Sequence, residues 1–178
     1  MRNVVAYELM SLDGVVEDPD AFIHEFDDVM EENLRRVIAT QDTVLLGRRT
    51  YNEWAAFWPT SDIEPFASFI NEVEKFVATS TDLALAWSNA AVIDDGLPGF
   101  LNDLKRQSGS DIGVHGSIAL VQSLLEGGLV DELRLVVAPA VHGHGRKLFE
   151  RSHQAELTLT RHLVSPAGYL LLDYHVGD

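Results

Sequence analysis

Short apolar runs and longer stretches of helical period alternate along almost the whole chain. The first run, Asn3 to Met10, is rich in Val, Ala, Tyr and Leu, the composition of a buried strand. An acidic loop from Ser11 through Asp20 follows. From Ala21 to about Thr40 the period becomes helical, with Phe26, Met30, Leu34, Val37 and Ile38 on one stripe. Thr43–Leu46 predicts a second strand, Thr50 to about Phe57 a helix that Trp58-Pro59 ends, and Pro65–Glu74 a further short helix. Strands are also predicted at Lys75–Thr79, Ala91–Ile93, Ile112–His115 and Glu132–Ala138. Helices are predicted at Pro98–Arg106 and Ser117–Glu126, the second stopped by Gly127-Gly128. Thr158–Val164 and Tyr169–Val176 flank Ser165-Pro-Ala-Gly168 and predict a terminal hairpin. Strands alternating with helices imply parallel pairing through right-handed crossovers, closed by an antiparallel addition. With no repeat, low-complexity tract or linker, residues 1–178 read as a single α/β domain.

Composition changes this picture at two points. There is no cysteine, so disulfides and thiol nucleophiles are excluded and a reducing compartment fits. The net charge is −15, from 28 acidic residues against ten arginines and three lysines, which disfavours nucleic acids and anionic membranes as partners. A phosphate-bearing ligand must therefore find a local basic patch, and basic residues cluster at Arg48/Arg49 and Arg146/Lys147. The apolar stretch behind the N-terminus is too short for a signal-peptide core, and no run approaches the roughly 20 residues that span a bilayer. The expectation is a soluble, cytoplasmic protein.

The densest motif is Gly47-Arg48-Arg49-Thr50-Tyr51-Asn52-Glu53, where a strand meets a helix. Thr50 and Glu53 have the spacing of a capping box, with Thr50 as the expected N-cap. Free helix-start amides and guanidinium groups together favour a phosphate. A second such turn is His115-Gly116-Ser117, where the amides of Ser117, Ile118 and Ala119 are helix-start donors. In an open α/β sheet, ligands bind beyond the carboxyl ends of the strands. Four loops there look specialised: Ser11–Asp20, Gly47–Thr50, Thr79–Thr81 and His115–Ala119. Other chemistries lack support. No G-x-G-x-x-G follows the first strand, and Gly143-His-Gly145 lacks the third glycine. There is no P-loop, no G-x-S-x-G and no second histidine after His24-Glu25. His142 and His144 have no cysteine or nearby carboxylate to complete a set, so no metal site is expected. Chemistry carried by a bound cofactor remains.

Ser11-Leu-Asp13-Gly14, Leu46-Gly47-Arg48-Arg49-Thr50-Tyr51, Val114-His-Gly116-Ser117 and the run from Leu124 through Asp131-Glu132 resemble the reductase domain of bacterial riboflavin biosynthesis. That group lies within the dihydrofolate reductase superfamily, and the likeness covers about Asn3 to His175. It implies a three-layer sandwich around a mostly parallel sheet with an antiparallel C-terminal strand. It also implies an NADPH-dependent oxidoreductase that transfers hydride to a pterin-like or pyrimidine small molecule. Carried over by position, Gly47, Arg48 and Thr50, with the adjacent Arg49, match the cofactor-phosphate turn. Thr79, Ser80 and Thr81 match the loop at the adenosine 2′-phosphate. Gly116 and Ser117 match the pyrophosphate turn, while Ala6, Val15 and Val16 match the nicotinamide walls. The family usually has glycine where this chain has His115.

Folate-reducing relatives place a substrate-binding carboxylate early in the first helix. Here Asp27 and Glu31 lie one turn apart on the side of Leu34 and Ile38, so these two are the expected catalytic acids. The alternative is a catalytically silent NADP(H)-binding sensor or interaction protein. Two further expectations are that no deaminase half precedes the domain and that Leu133–Val141 with the terminal hairpin forms a homodimer interface.

Overall fold

A computed structural model of the chain describes residues 1–94, 96–150 and 154–177. Its centre is an eight-stranded sheet of order β4-β3-β2-β5-β1-β6-β8-β7. The strands are β1 (Val4–Ser11), β2 (Gln41–Gly47), β3 (Glu74–Ala78), β4 (Ala90–Val92), β5 (Asp111–His115), β6 (Glu132–Ala138), β7 (Leu157–Val164) and β8 (Leu170–Val176). All neighbours from β4 to β6 pair in parallel, whereas β8 runs antiparallel to both β6 and β7. The terminal hairpin is thus present, turned by Ser165–Gly168 with Gly168 N–H donating to Ser165 O at 2.9 Å.

Among the described residues the α-helices are α1 (Asp28–Ala39), α2 (Arg48–Phe57), α3 (Phe66–Glu72), α4 (Leu97–Arg106) and α5 (Ile118–Glu126). Leu101, Leu104, Val121 and Leu124 of α4 and α5 pack with Val4, Ala6, Leu45 and Val114 on one face of the sheet. Met30 and Val37 of α1 cover Tyr7, Val136 and Leu171 on the other face, and Tyr51, Phe66 and Ile70 cover Val44, Leu46 and Val77. This is the helix–sheet–helix layering that parallel strands require when both faces are apolar.

Three expectations are corrected. Helix α1 begins at Asp28, not Ala21, because the Asp27 carboxylate caps it by accepting from Val29 and Met30 N–H at 3.1 and 3.0 Å. Helix α2 begins at Arg48 with Gly47 as N-cap, so Thr50 and Glu53 form no capping box. The Thr50 hydroxyl instead donates to Gly116 O at 2.9 Å, and Glu53 pairs with Arg49. Finally, Leu133–Ala138 lies within β6, buried between β1 and β8, so that run offers no outer surface. The exposed large apolar side chains of this region, among the described residues, are Val141, then Leu157, Leu159, Leu163 and Val164 on β7, and Leu170 on β8. Among the described residues no helix is long and apolar enough to cross a membrane.

Candidate functional site

The carboxyl ends of β1, β2, β3 and β5 open on one cleft of about 1300 Å³, lined by Gly47–Thr50, Thr79, Ser80, His115–Ala119 and Val16 among others. Two helices start here. Neither α2 nor α5 has a side-chain cap, so their first amides stay free of protein partners of that kind. The two turns are tied together. Gly47 N–H donates to Ser117 Oγ at 3.0 Å, and Thr50 Oγ1 donates to Gly116 O at 2.9 Å. Both serine and threonine thus serve to hold the turns side by side. Gly116 sits at φ +59°, and a Cβ there would meet Trp54 Cζ2 at 2.7 Å, so glycine is required by backbone and by packing.

The third loop joins through Arg48, whose Nη1 donates to Thr81 Oγ1. Thr81 itself does not line the cleft, but Thr79 Oγ1 fixes it by accepting from Thr81 N–H at 3.2 Å and donating to Thr81 O at 3.0 Å. The cleft carries three arginines. Arg49 pairs with Glu53 at 2.9 Å and Arg146 with Glu17 at 2.8 Å, which leaves Arg48 as the cleft arginine, among the described residues, without a carboxylate partner. A guanidinium beside hydroxyls and two helix starts is a donor set for phosphate oxygens.

Other residues singled out by sequence lie elsewhere. Ala6 and Val15 are both fully buried and do not line the cleft: Ala6 packs in the α4–α5 core and Val15 in the α1 core. Asp27 and Glu31 do not line it either. Asp27 is engaged as the α1 cap and also accepts from Ala167 N–H at 3.1 Å. Burial pushes its pKa up, but hydrogen bonds from Ser165 and the amides of Met30, Ala167 and Val29 outweigh burial and hold it below the usual range. Glu31 pairs with Arg35 one turn on, both partly exposed. Asp13 of the Ser-Leu-Asp-Gly turn accepts from His142 and Gly143 N–H at 2.9 and 3.0 Å, so it clasps the 142–146 loop against the cleft rim. These bonds and one from Ser11 hold its carboxyl well below the ordinary range.

Of the carboxyls that line the cleft, the buried one is Glu8 on β1. Pairing of β1 with β5 ends at Tyr7↔His115, so Glu8 is the first residue of β1 beyond β5. Its side chain is 3 % exposed, and burial pushes its pKa from 4.5 up to about 8. The one sequence signal for it was a lone acid within an otherwise apolar strand. Beside it, burial raises the Tyr7 phenol and lowers His115 from 6.5 to about 3, with Arg134 adding to the latter. The neutral His115 ring is hydrogen-bonded to Gln41 Oε1 at 2.7 Å and contacts Tyr7 and Phe66 at ring-centroid distances of 5.7 and 5.4 Å. Its side chain thus turns into the core, leaving the Gly116 backbone open to the cleft. From Phe66 an aromatic wall continues through Trp54 and Trp58, with centroids 5.5 and 4.9 Å away.

The model of the RibD C-terminal domain family matches residues 2–171. The uncharacterised protein YyaP of Bacillus subtilis (strain 168) is 26% identical over 183 residues, covering 98% of this chain and 95% of that protein. Among solved structures, a protein of Shewanella sp. PV-4 provisionally named for riboflavin biosynthesis superposes with a TM-score of 0.81 at 17% identity, covering 99% of both chains. The diaminohydroxyphosphoribosylaminopyrimidine deaminase/5-amino-6-(5-phosphoribosylamino)uracil reductase of Thermotoga maritima superposes with a TM-score of 0.72 at 14% identity. That match covers 99% of this chain and 57% of the Thermotoga one. At these identities the structural likeness is one of fold.

Proposed function

The chain belongs to the RibD C-terminal domain family, and from that premise we propose that it is an NADPH-dependent reductase acting on a pterin-like or pyrimidine small molecule. One observation carries the reading: two uncapped helix starts, stitched by Gly47–Ser117 and Thr50–Gly116 bonds, open into one cleft with Arg48 free of carboxylates. The cleft exceeds the ~300–1,000 Å³ of a typical small-ligand pocket, which gives room for a dinucleotide and a second molecule. A reduced nicotinamide supplies hydride from its C4 when bound. The protein's own part is to bind, orient and exclude water.

In this reading Gly47, Arg48 and Arg49 with the α2 start, and Gly116, Ser117, Ile118 and Ala119 with the α5 start, hold the phosphates. Arg48 with Thr79 and Ser80 meets the 2′-phosphate, an anion that a bare ribose lacks, while Thr81 holds the guanidinium in place. Val16 and the β1 residues past β5 flank the reacting rings. The test is NADPH titration by dihydronicotinamide fluorescence, with NADPH consumption followed across pterins, pyrimidines and flavins. Saturable binding with consumption on one of these classes supports the reductase. Binding without consumption on any class supports the silent cofactor binder instead, and absence of binding refutes both.

A further inference from the structure

Glu8 is a group in the cleft that no other part of the fold explains. Its Oε1 is sealed from solvent with no hydrogen-bond partner, and among the described residues no ion pair involves it. A carboxylate taken out of water without a cation is very costly, so such a group keeps its proton. A protonated carboxyl presents a donor and an acceptor side by side. Its geometric complement is a lactam edge, N–H beside C=O, with which it closes two hydrogen bonds at once. An amidinium edge needs the ionised form instead.

The rest of the cleft agrees with a flat, neutral occupant. Phe26, Leu34, Trp54, Trp58 and Phe66 supply apolar and aromatic walls. Arg49 and Arg146 are already paired with Glu53 and Glu17, and Arg48 is turned to Thr81. A second ligand bearing its own phosphate would face Glu53, Glu64 and Glu8 with no cation to spare. Resting on the reductase reading of this cleft, we propose that Glu8 is a specificity-determining residue that takes the lactam edge of a flat, uncharged, phosphate-free heterocycle. Taking both bonds requires the carboxyl to turn so that Oε1, sealed from solvent in this structure, reaches the ring; the O–H then donates to the ring carbonyl and the C=O accepts from the ring N–H.

The test uses riboflavin, which carries a lactam edge, on the full chain without cofactor, by tryptophan quenching and calorimetry. Riboflavin 5′-phosphate serves as the phosphorylated match, compared with riboflavin in a parallel titration with saturating NADP+ filling the Arg48 turn and helix starts. The amidine match is 2,4-diaminopteridine. Wild type should bind riboflavin at about pH 6 and lose about tenfold in affinity above about pH 9, as the carboxyl ionises. Glu8→Gln, which keeps a donor beside an acceptor, should stay within about threefold of wild type at low pH and lose the pH dependence. Glu8→Ala should bind at least about tenfold more weakly, and the 5′-phosphate should bind worse than riboflavin. Absence of riboflavin binding, a pH-flat wild type, Glu8→Ala equal to wild type, the 5′-phosphate binding as well as riboflavin, or tighter binding of the diaminopteridine that Glu8→Gln abolishes each overturns the proposal. A cooperative thermal transition well above the assay temperature for both variants at about pH 6 shows that binding, not folding, is read. NADPH titrated into the same samples separates the two readings: normal NADPH binding with the riboflavin pattern absent refutes this inference alone, and absent NADPH binding refutes the reductase.

Discussion

Replacing Glu8 by glutamine should reshape the pH dependence of stability, and the sign follows from burial. In the fold the carboxyl holds its proton up to about pH 8, against an ordinary value of 4.5. The unfolded chain therefore gives up this proton first as pH rises. Stability from Glu8 is full below about pH 4.5, falls by about 1.4 kcal/mol per unit of pH, and levels off above about pH 8. His115 acts in the opposite sense. Its ring stays neutral in the fold down to about pH 3, so its contribution is present above the ordinary 6.5 and lost as pH falls through that window. The two slopes oppose each other between about pH 4.5 and 6.5, and the wild-type profile should be shallow there. The glutamine variant keeps His115, so subtracting the two profiles isolates Glu8. Urea unfolding at about pH 5 and about pH 8.5 is the assay. Between those points the variant should gain about 4 kcal/mol relative to wild type, that is, about 1.4 kcal/mol for each of about three units of pH. A relative gain below about 1 kcal/mol would refute the assignment of a neutral, buried carboxyl.

Two further substitutions separate scaffold from site. Asp27→Ala removes the α1 cap and should lower unfolding free energy by about 1 kcal/mol, while NADPH affinity stays within about twofold; a large loss of cofactor affinity with unchanged stability would show that Asp27 belongs to the site. Gly116→Ala forces a left-handed backbone on alanine and pushes a Cβ against Trp54, so it should cost about 1–3 kcal/mol in denaturant unfolding and weaken NADPH binding. Wild-type stability with wild-type affinity would contradict the contact between Trp54 and the turn.

The strands were legible in the sequence because parallel central strands buried on both faces leave continuous apolar runs, and all eight appear near their expected bounds. The turns at Gly47–Thr50 and His115–Ala119, which the fold brings to one cleft, were legible for a different reason: glycine, arginine and hydroxyl residues mark the points where strands feed helix starts. What escaped was anything set by partners distant in sequence. Asp27 reads as one more acid on a helix face until the distant Ala167 amide is seen to join the local Val29 and Met30 amides on it. Thr50 and Glu53 satisfy a local rule, but the Gly116 carbonyl and Arg49 compete for them and win. Ala6 is enclosed because β1 stays paired with β5 as far as Tyr7, so β1 reaches the cleft only from Tyr7 onward. Where one strand outruns its neighbour depends on register, which the β1 sequence alone does not encode.

The central claim is that Arg48 and the loop at the end of β3 recognise the phosphate that distinguishes NADPH from NADH. Dissociation constants of both nucleotides, measured for wild type and Arg48→Ala by dihydronicotinamide fluorescence, test it most directly. Losing a charge-assisted contact of about 1.5–3 kcal/mol should weaken NADPH by about 10- to 100-fold and leave NADH within about threefold. Equal losses for the two nucleotides, or NADH bound by wild type as tightly as NADPH, would contradict it.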